Sequence, residues 1–599
     1  MESARRLARL SGPMILLFSI VQAAIAGGGP LNVMVLYNAD EPAAQEVAEA
    51  YRDARSLPVG HLCGVYGVDP LAGELPSEDV DTLIRTPLDA CIGALPRPED
   101  IDYIVVVRGL PYRVTIAEGA GSMTSLSAQL QVYNGVSLTT GEEVAGNPVF
   151  EYHEYVVSNV ANPALVTDTY VSADYTLTHT NQQSYSTASG ITRTEVLPHS
   201  FRRKNVVIGD WYDLQDNLFV VTRLDGFDYQ DALDLIDRGV SADGTYPVAT
   251  LLCMEGADSA RSARDPECEF VTRMLASAGF NAEYLSPHDS ALGGETVAAY
   301  LTGAADLRNA IDGITYVPGA VTDNLTSYGA VPTNWYCDES GEVCPESESQ
   351  TAIARLVRAG ATGVHGTVAE PYNFAFPNAG LLLLYTFGYN LGESYLMNQK
   401  VLYWQNVVVG DPLTSPYATR PVVSWPAEVV VDTPLTISAT HPNGVRETRL
   451  YLDGVLVASA EGDELEVVLD AEVGEEVSLL VVAEAVNVAQ TRLGWHVEEP
   501  LPQPDVQGWL EGTVVVLEGR GDDTGTPDDA GLQDDGEPAD SDTDATDAGS
   551  SAESGDAAKE AGCGCSASSS QAPVGAWLGL VWLGAAVRRR RSSGQRQLG

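Results

Sequence analysis

Apolar runs alternate with helical stripes from residue 31 to about residue 417. Residues 31–37 form a near-continuous apolar run, which is typical of a strand buried on both faces of a parallel sheet. Pro42 then suits the first turn of a helix whose apolar positions recur at helical spacing. Further strands are predicted at residues 103–107, 248–253, 314–317, 361–368 and 407–409. This alternation predicts an α/β domain over residues 27–417, with a mostly parallel sheet covered by helices on both faces.

Two segments depart from that pattern. Residues from about 155 to 208 are rich in Thr, Ser, Tyr and Val and lack helical periodicity, which predicts a β insertion at the sheet edge or over the cleft. Residues 421–497 contain short strands separated by turns such as Asp453-Gly454. This second region resembles an immunoglobulin-like β-sandwich, and it contains no cysteine for an inter-sheet disulfide.

The amino terminus has the layout of a secretory signal peptide. Three arginines precede an apolar stretch at residues 14–26, which is short for a membrane span. Ala24 and Ala26 form a small-residue cleavage site before Gly27. We therefore expect residues 1–26 to be removed on export; the alternative is an uncleaved anchor.

The carboxyl terminus has three parts. Residues 498–560 form an acidic, low-complexity linker that cannot offset its ordering entropy, so we expect it to be disordered. Residues 561–599 contain Cys563 and Cys565, a short apolar stretch and a run of four consecutive arginines. The arginines follow the positive-inside rule and are expected to hold the end of the chain at the cytoplasmic face of a membrane.

This Cys motif, apolar helix and arginine run resemble the myxobacterial carboxyl-terminal sorting signal, MYXO-CTERM. The resemblance covers the chain from Gly562 onward. It implies a C-terminal sorting protease as partner, cleavage near Cys563 or Cys565, and retention at the outer surface of a Gram-negative cell envelope. A plain membrane anchor is the alternative.

Charge and cysteine usage narrow the possibilities further. The formal net charge of −50 argues against a nucleic-acid partner, which requires a basic surface. No cysteine or histidine cluster has the spacing of a zinc site, and no metal or cofactor is predicted. In an oxidising compartment, the six cysteines of the main body are expected to form disulfides. Sequential pairing is the simplest arrangement, although six cysteines allow many others. The six are Cys63, Cys91, Cys253, Cys268, Cys337 and Cys344.

Polar residues follow the predicted strands, where open parallel sheets bind ligands. Asn38 and Asp40 follow the first strand, and Arg108 and Arg113 follow the second. We predict that these four residues bind a ligand; the alternative for each is a structural role in a cap or turn. Other chemistry-bearing residues follow later strands and form a second set: Ser327, His365, Glu370 and Asp411.

Several longer motifs resemble those of an uncharacterised family of secreted bacterial proteins that occurs with exosortase-type sorting systems. The resemblance spans roughly residues 31–417. The motifs are Asn38-Ala39-Asp40-Glu41-Pro42, Thr222-Arg223-Leu224-Asp225-Gly226, Leu325-Thr326-Ser327-Tyr328-Gly329, Gly360-Ala361-Thr362-Gly363-Val364-His365-Gly366-Thr367-Val368-Ala369-Glu370-Pro371 and Gly410-Asp411-Pro412-Leu413.

More distantly, the chain resembles gingipain-type cysteine peptidases, which have a caspase-like or flavodoxin-like α/β fold. That family carries His-Gly after one strand and Cys after the next. Here Thr326 and Ser327 stand where the cysteine is expected, and His365-Gly366 lies on a later strand.

Two functions remain open. In the first, the α/β domain is a binding or pseudoenzyme scaffold, a hypothesis that rests on the missing cysteine. In the second, the protein is a surface hydrolase, for which a peptidase is one option, with Ser327 as nucleophile and His365 as its base. Glu370 or Asp411 would then orient His365, and Arg108 would stabilise developing charge.

Overall fold

The computed structural model describes residues 28–115, 123–131, 219–331, 350–486 and 506–519, apart from positions 290, 308–310, 312, 400 and 403. It also gives the backbone of short strands between residues 150 and 213. The predicted signal peptide, the Cys337–Cys344 loop and the carboxyl-terminal tail lie outside the described residues. Within the described residues, no helix is long and apolar enough to cross a membrane.

A ten-stranded sheet forms the centre of the α/β domain, as predicted. Its strands are β1 (Val33–Asn38), β2 (Leu62–Val65), β3 (Tyr103–Val107), β4 (Val220–Leu224), β5 (Thr250–Met254), β6 (Ala282–Leu285), β7 (Thr296–Thr302), β8 (Thr315–Asn324), β9 (Gly363–Thr367) and β10 (Asn406–Val409). Their spatial order is β6-β5-β7-β8-β9-β10-β4-β3-β1-β2. The sheet therefore has two parallel parts, β1–β4 and β5–β9, with the last strand between them.

Strand β10 completes the sheet at its centre. It pairs antiparallel with β9, opposing Thr367 to Asn406, and meets β4 through one bridge between Arg223 and Val409. The carboxyl ends of β3 and β9 lie at one edge, because Arg113 after β3 donates a hydrogen bond to the carbonyl of Val368 after β9. We call this edge, which carries the exit loops of both parallel parts, the carboxyl edge.

Helices cover both faces of the sheet. They are α1 (Pro42–Arg55), α2 (the continuous helical segments Ser77–Val80, Asp81–Arg85 and Thr86–Gly93), α3 (Leu126–Gln131), α4 (Tyr229–Ala242), α5 (Asp265–Ser277), α6 (Ile353–Arg358), α7 (Leu381–Phe387) and α8 (Leu391–Leu396). On one face, a single apolar cluster runs under α1, α4 and α6 and includes strand residues from both parallel parts. The opposite face is divided between one cluster under α2 and α3 and another that includes α5, α7 and α8.

Helix α1 illustrates how the sequence sets an element. Pro42 occupies the first turn, where its missing N–H costs nothing. Val47, Ala48 and Tyr51 form a fully buried stripe, as the apolar spacing predicts. The helix ends at Arg55 because Ser56 adopts a left-handed conformation with φ 57°.

The second region folds as a β-sandwich whose core draws residues from two sheets. Its strands are β11 (Val422–Ser424), β12 (Glu428–Val430), β13 (Leu435–Thr440), β14 (Val445–Leu452), β15 (Val455–Glu461), β16 (Glu464–Val467), β17 (Glu476–Ala485) and β18 (Gln507–Leu517). The last strand corrects the expected boundary at residue 497, since β18 falls in the segment expected to be a disordered linker. It belongs to the sandwich because it pairs with β17 over nine residues and buries Val514 and Val516 in the core.

The predicted β insertion consists of short antiparallel pairs. Gln182–Ser186 pairs with Thr192–Val196, and Phe150–His153 pairs with Val156–Ala161. A further strand, Val401–Leu402, pairs with the end of Val156–Ala161 just before β10. The insertion is therefore connected to the sheet next to its central strand.

Candidate functional site at the carboxyl edge

His365 lies at the centre of the candidate site, on β9. Its side chain is fully buried. Nδ1 lies 2.8 Å from Oδ1 of Asp323 on the neighbouring strand β8, and Nε2 lies 3.2 Å from Oδ1 of Asn406 at the start of β10. The ring of Phe376 packs edge-on against the imidazole at 5.4 Å between centroids. Both ring nitrogens of His365 are therefore held by neighbouring strands.

Arg264, which immediately precedes α5, fixes the other side of Asp323. Its guanidinium forms an ion pair with the carboxylate and donates to the carbonyl oxygens of Thr302 at 2.9 Å and Pro377 at 3.1 Å. Burial opposes ionisation of Asp323, but Arg264 and His365 outweigh it and hold the pKa of the carboxyl below its ordinary value. Asp323 is therefore a carboxylate at neutral pH.

That charge determines which atoms of His365 carry protons. A carboxylate only accepts hydrogen bonds, so Nδ1 of His365 is protonated and donates to Asp323. The side-chain amide of Asn406 offers a donor and an acceptor, and it can therefore satisfy Nε2 whether that nitrogen is bare or protonated. The two neighbours thus give each ring nitrogen of His365 a hydrogen-bond partner.

The predicted nucleophile does not contact this histidine. Ser327 is half-buried in the exit loop of β8, and it is not among the hydrogen-bond partners of His365. Thr326 is buried and its hydroxyl bonds Gln350. Tyr328, in a left-handed conformation with φ 58°, bonds through its N–H to the carbonyl of Ala369. The loop is therefore fastened to the exit loop of β9 by its backbone.

Glu370 and Asp411 were expected to orient His365, but neither is among its hydrogen-bond partners. Glu370 is exposed in the exit loop of β9. Asp411 lies beyond β10 and accepts hydrogen bonds from Tyr51 at 2.7 Å and Arg55 Nε at 2.8 Å, both in the carboxyl-terminal half of α1. A helix that follows a parallel strand returns to the opposite edge of the sheet, so Asp411 lies far from the exit loops. The orienting role belongs to Asp323 instead.

Asn38 and Asp40, two of the predicted ligand-binding residues, hold neighbouring loops together. The amide of Asn38 donates to the carbonyls of Val68 at 2.9 Å and Gly109 at 3.0 Å. Asp40 is exposed, and its carboxylate accepts a bond of 2.6 Å from the N–H of Gly67. Each contact closes a loop against its neighbour, and ligand binding by these residues stays a prediction.

The two arginines of the same set have similar roles. Arg108 donates to Asp225 at 3.0 Å and to the carbonyl of Gly226 at 2.7 Å, and its guanidinium lies over the ring of Tyr229. Arg113 pairs with Glu74 at 3.3 Å and bonds the exit of β9. Both cations are thus engaged with the protein itself.

Sequence reasoning missed the most deeply buried charges. Arg223 and Asp225 are fully buried and paired at 2.9 Å, and Arg223 also donates to the carbonyls of Leu110 and Pro111. Arg264 and Asp323 were likewise not selected. One sequence feature could have identified these residues: a charged residue inside or at the end of an apolar strand, as in Thr222-Arg223-Leu224-Asp225. Such a charge requires a partner when it is buried.

Both crevices in which this kind of sheet binds ligands are filled by the protein. Between β1 and β3, the Asn38 amide bridges to Gly109. Between β5 and β7, the turn containing Arg261 packs against two glycines: a Cβ on Gly256 or Gly303 would lie 2.3 or 2.4 Å from the Arg261 carbonyl oxygen. At these points each crevice is closed by contacts within the protein.

A reactive cysteine and a metal site are two other kinds of centre that the described residues could form. Cys253 and Cys268 are buried, and burial raises the pKa of the Cys253 thiol well above its ordinary value. A thiol in that state is a poor nucleophile. No three histidine, cysteine or acidic side chains of the described part are grouped so that they could hold a metal ion.

Comparison with known proteins gives no closer assignment. No protein-family profile and no curated protein sequence matches the chain. Among solved structures, one called "Structure of Protease" aligns over 81% of this chain and 98% of its own, with 11% identity and a TM-score of 0.37. A "membrane anchored protein from Corynebacterium diphtheriae" aligns over 22% of this chain and 26% of its own, with 17% identity and a TM-score of 0.11. Similarities at this level carry no functional argument.

Proposed function

We propose that this chain is an exported protein, held at the outer cell surface, whose α/β domain binds a partner without catalysing a reaction. The observation that carries the proposal is the enclosure of His365. Its two nitrogens are bonded to Asp323 and Asn406, and its ring is fully buried. A general base must reach the proton that it removes, either directly or through one water.

The strand ends support the same conclusion. In the caspase-like arrangement, His-Gly follows one strand and Cys follows the next. Here Thr302-Gly303 follows β7, and Thr326-Ser327 follows β8. The strands that would present a peptidase's catalytic pair therefore present three hydroxyl residues and a glycine. The buried ion pairs behind them give the exit loops a rigid support.

The cellular setting in this proposal comes from the two ends of the chain. The amino-terminal signal directs export, a C-terminal sorting protease acts near Cys563 or Cys565, and the acidic linker separates the folded domains from the envelope membrane. The net charge of −50 disfavours nucleic acid as the partner. The proposed partner is therefore a surface ligand other than a nucleic acid.

Activity-based labelling tests the absence of catalysis. The mature protein is treated with serine-reactive and cysteine-reactive probes and mapped by mass spectrometry. We expect no labelling above a heat-denatured control, because no serine, threonine or cysteine side chain of the described residues is hydrogen-bonded to a histidine. The matched control is Ser327→Ala, which should give an unchanged pattern.

A surface hydrolase is the second candidate, and one observation favours it. Asp323 lies 2.8 Å from Nδ1 of His365, which is the relation that orients a catalytic base. Labelling at Ser327 that disappears in Ser327→Ala would establish this function and overturn the scaffold proposal. Labelling of any other residue in a folded sample would also contradict the proposal that the protein is non-catalytic.

Replacing Cys563 and Cys565 with serine tests the surface assignment. We expect loss of tail processing, and therefore loss of the mature form from the fraction that external protease can reach on intact cells. Ser566→Ala, beside the motif, is the matched control and should be processed normally. Unchanged processing and surface exposure of the double variant would favour a plain anchor over a sorting signal.

A further inference from the structure

Cys253 and Cys268 face each other between a strand and the helix that follows it. Cys253 is the fourth residue of β5, and Cys268 lies in the first turns of α5. Their side chains are 0% and 2% exposed and belong to one apolar cluster. Burial and, after it, the neighbouring Cys268 thiol raise the pKa of the Cys253 thiol, as expected for two side chains that lie beside each other. Each thiol is therefore the candidate partner of the other for oxidation.

The chain already contains one bridge of this kind. Cys63 on β2 is bonded to Cys91 in α2, the helix that follows β2, with 5.8 Å between the Cα atoms. Cys253 and Cys268 repeat this strand-to-following-helix relation in the second parallel part of the sheet. The first bridge shows that such a strand and helix lie at a distance that a disulfide can span.

We propose that Cys253 and Cys268 form a second disulfide in the exported protein. The proposal depends on the export step of the proposed function, because disulfides persist in oxidising compartments. It concerns a covalent modification that neither the site nor the binding role requires.

The chemistry is thiol–disulfide exchange with an oxidising dithiol–disulfide protein of the compartment. One cysteine, as its thiolate, attacks the disulfide of that protein and forms a mixed disulfide. The second cysteine then displaces the protein's sulfur, so that the Cys253–Cys268 bond forms and the oxidant leaves as a dithiol. Two electrons and two protons pass from the cysteine pair to the oxidant.

The burial of Cys253 and Cys268 determines when, during folding, their disulfide forms. Both thiols are enclosed once α5 packs on β5, and burial raises the pKa of Cys253 and so suppresses the attacking thiolate. Exchange therefore takes place during folding, before the helix docks. The bridge then fastens the helix that Arg264 immediately precedes, close to the ion pair with Asp323.

Peptide mapping of the full-length exported protein tests the proposal. The protein is alkylated under denaturing conditions without reduction, and only molecules with an intact Cys63–Cys91 bridge are scored, so that a failure of export is separated from a failure of this proposal. We expect a linked Cys253–Cys268 peptide pair, lighter by two hydrogen atoms than the two reduced peptides together. Cys268→Ser is the matched control, in which Cys253 should become fully alkylated.

Two outcomes would overturn the proposal. One is alkylation of both Cys253 and Cys268 in molecules whose first bridge is intact. The other is a link from either residue to Cys337 or Cys344. The assay does not depend on activity or on a partner, so it is independent of whether the α/β domain binds or catalyses.

Discussion

Replacing Asp411 with asparagine should lower the free energy of unfolding by about 3 kcal/mol, the lower end of the cost of removing one partner from a buried ion pair. The lower end applies because Arg55 keeps Asp243 as a second carboxylate partner at 2.6 Å. Asp411 is fully buried and binds the guanidinium of Arg55, which is 2% exposed. It also accepts the hydroxyl of Tyr51, whose pKa is raised well above the ordinary value by burial and by this carboxylate. Asparagine has nearly the same volume as aspartate but carries no charge, so the loss in free energy of unfolding measures the contribution of the ion pair.

The measurement is chemical denaturation of the mature protein at neutral pH. Asp53→Asn is the matched control, because Asp53 pairs with Arg52 at 2.7 Å on the same helix with its side chain 69% exposed. Exposed pairs contribute about 0–1 kcal/mol, so this variant should unfold almost as the parent does. Equal midpoints for Asp411→Asn and Asp53→Asn would show that the Gly-Asp-Pro motif does not hold the fold together.

Replacing Asp323 with asparagine should also cost about 3–5 kcal/mol at neutral pH, because Arg264 then remains buried without a carboxylate. The effect should depend on pH. The folded-state pKa of Asp323 lies below its unfolded value, so its contribution is complete above the unfolded pKa and is lost as pH falls through the folded pKa. The stabilities of parent and variant should therefore converge in acid.

Denaturation midpoints from pH 7 down to about pH 3, below the ordinary aspartate pKa, check this prediction. Asp258→Asn is the matched control, since Asp258 pairs with Arg261 at 2.6 Å near the same edge but its side chain is 47% exposed. That variant should differ little from the parent at any pH. A constant gap between Asp323→Asn and the parent across the range would contradict the proposed role of the Asp323 carboxylate.

An uninterrupted apolar run allowed β3 to be predicted from the sequence. Strand β3 has the predicted bounds because all five of its residues are apolar and buried. Strand β4 was missed because Arg223 interrupts its run, and only the folded chain shows that Asp225 and two carbonyls satisfy that charge. Strand β18 was missed because it follows β17 only after a gap of 21 residues and carries an exposed glutamate, Glu511.

The sequence predicted some residues of the candidate site, but it did not predict which residues contact each other. His365 and Arg108 could be selected because each stands on or just after an apolar run. The partners of His365 could not, because Asp323 and Asn406 lie 42 and 41 residues away along the chain. Asp411 was grouped with His365 from its position after a strand, but the antiparallel direction of β10 carries it away from the exit loops. Strand direction is a tertiary property that local patterns do not encode.

The position of β10 has a consequence for a chain that emerges amino terminus first. Within the ten-stranded sheet, the last strand to be synthesised is β10, which lies between β9 and β4. Until residues 406–409 are available, the inner margins of both parallel parts have unpaired backbone N–H and C=O groups. Such open margins recruit other strands and promote aggregation. A chain that stops before residue 406 therefore exposes two unpaired strand edges. Binding by a chaperone until the α/β domain is nearly complete would protect these edges from aggregation.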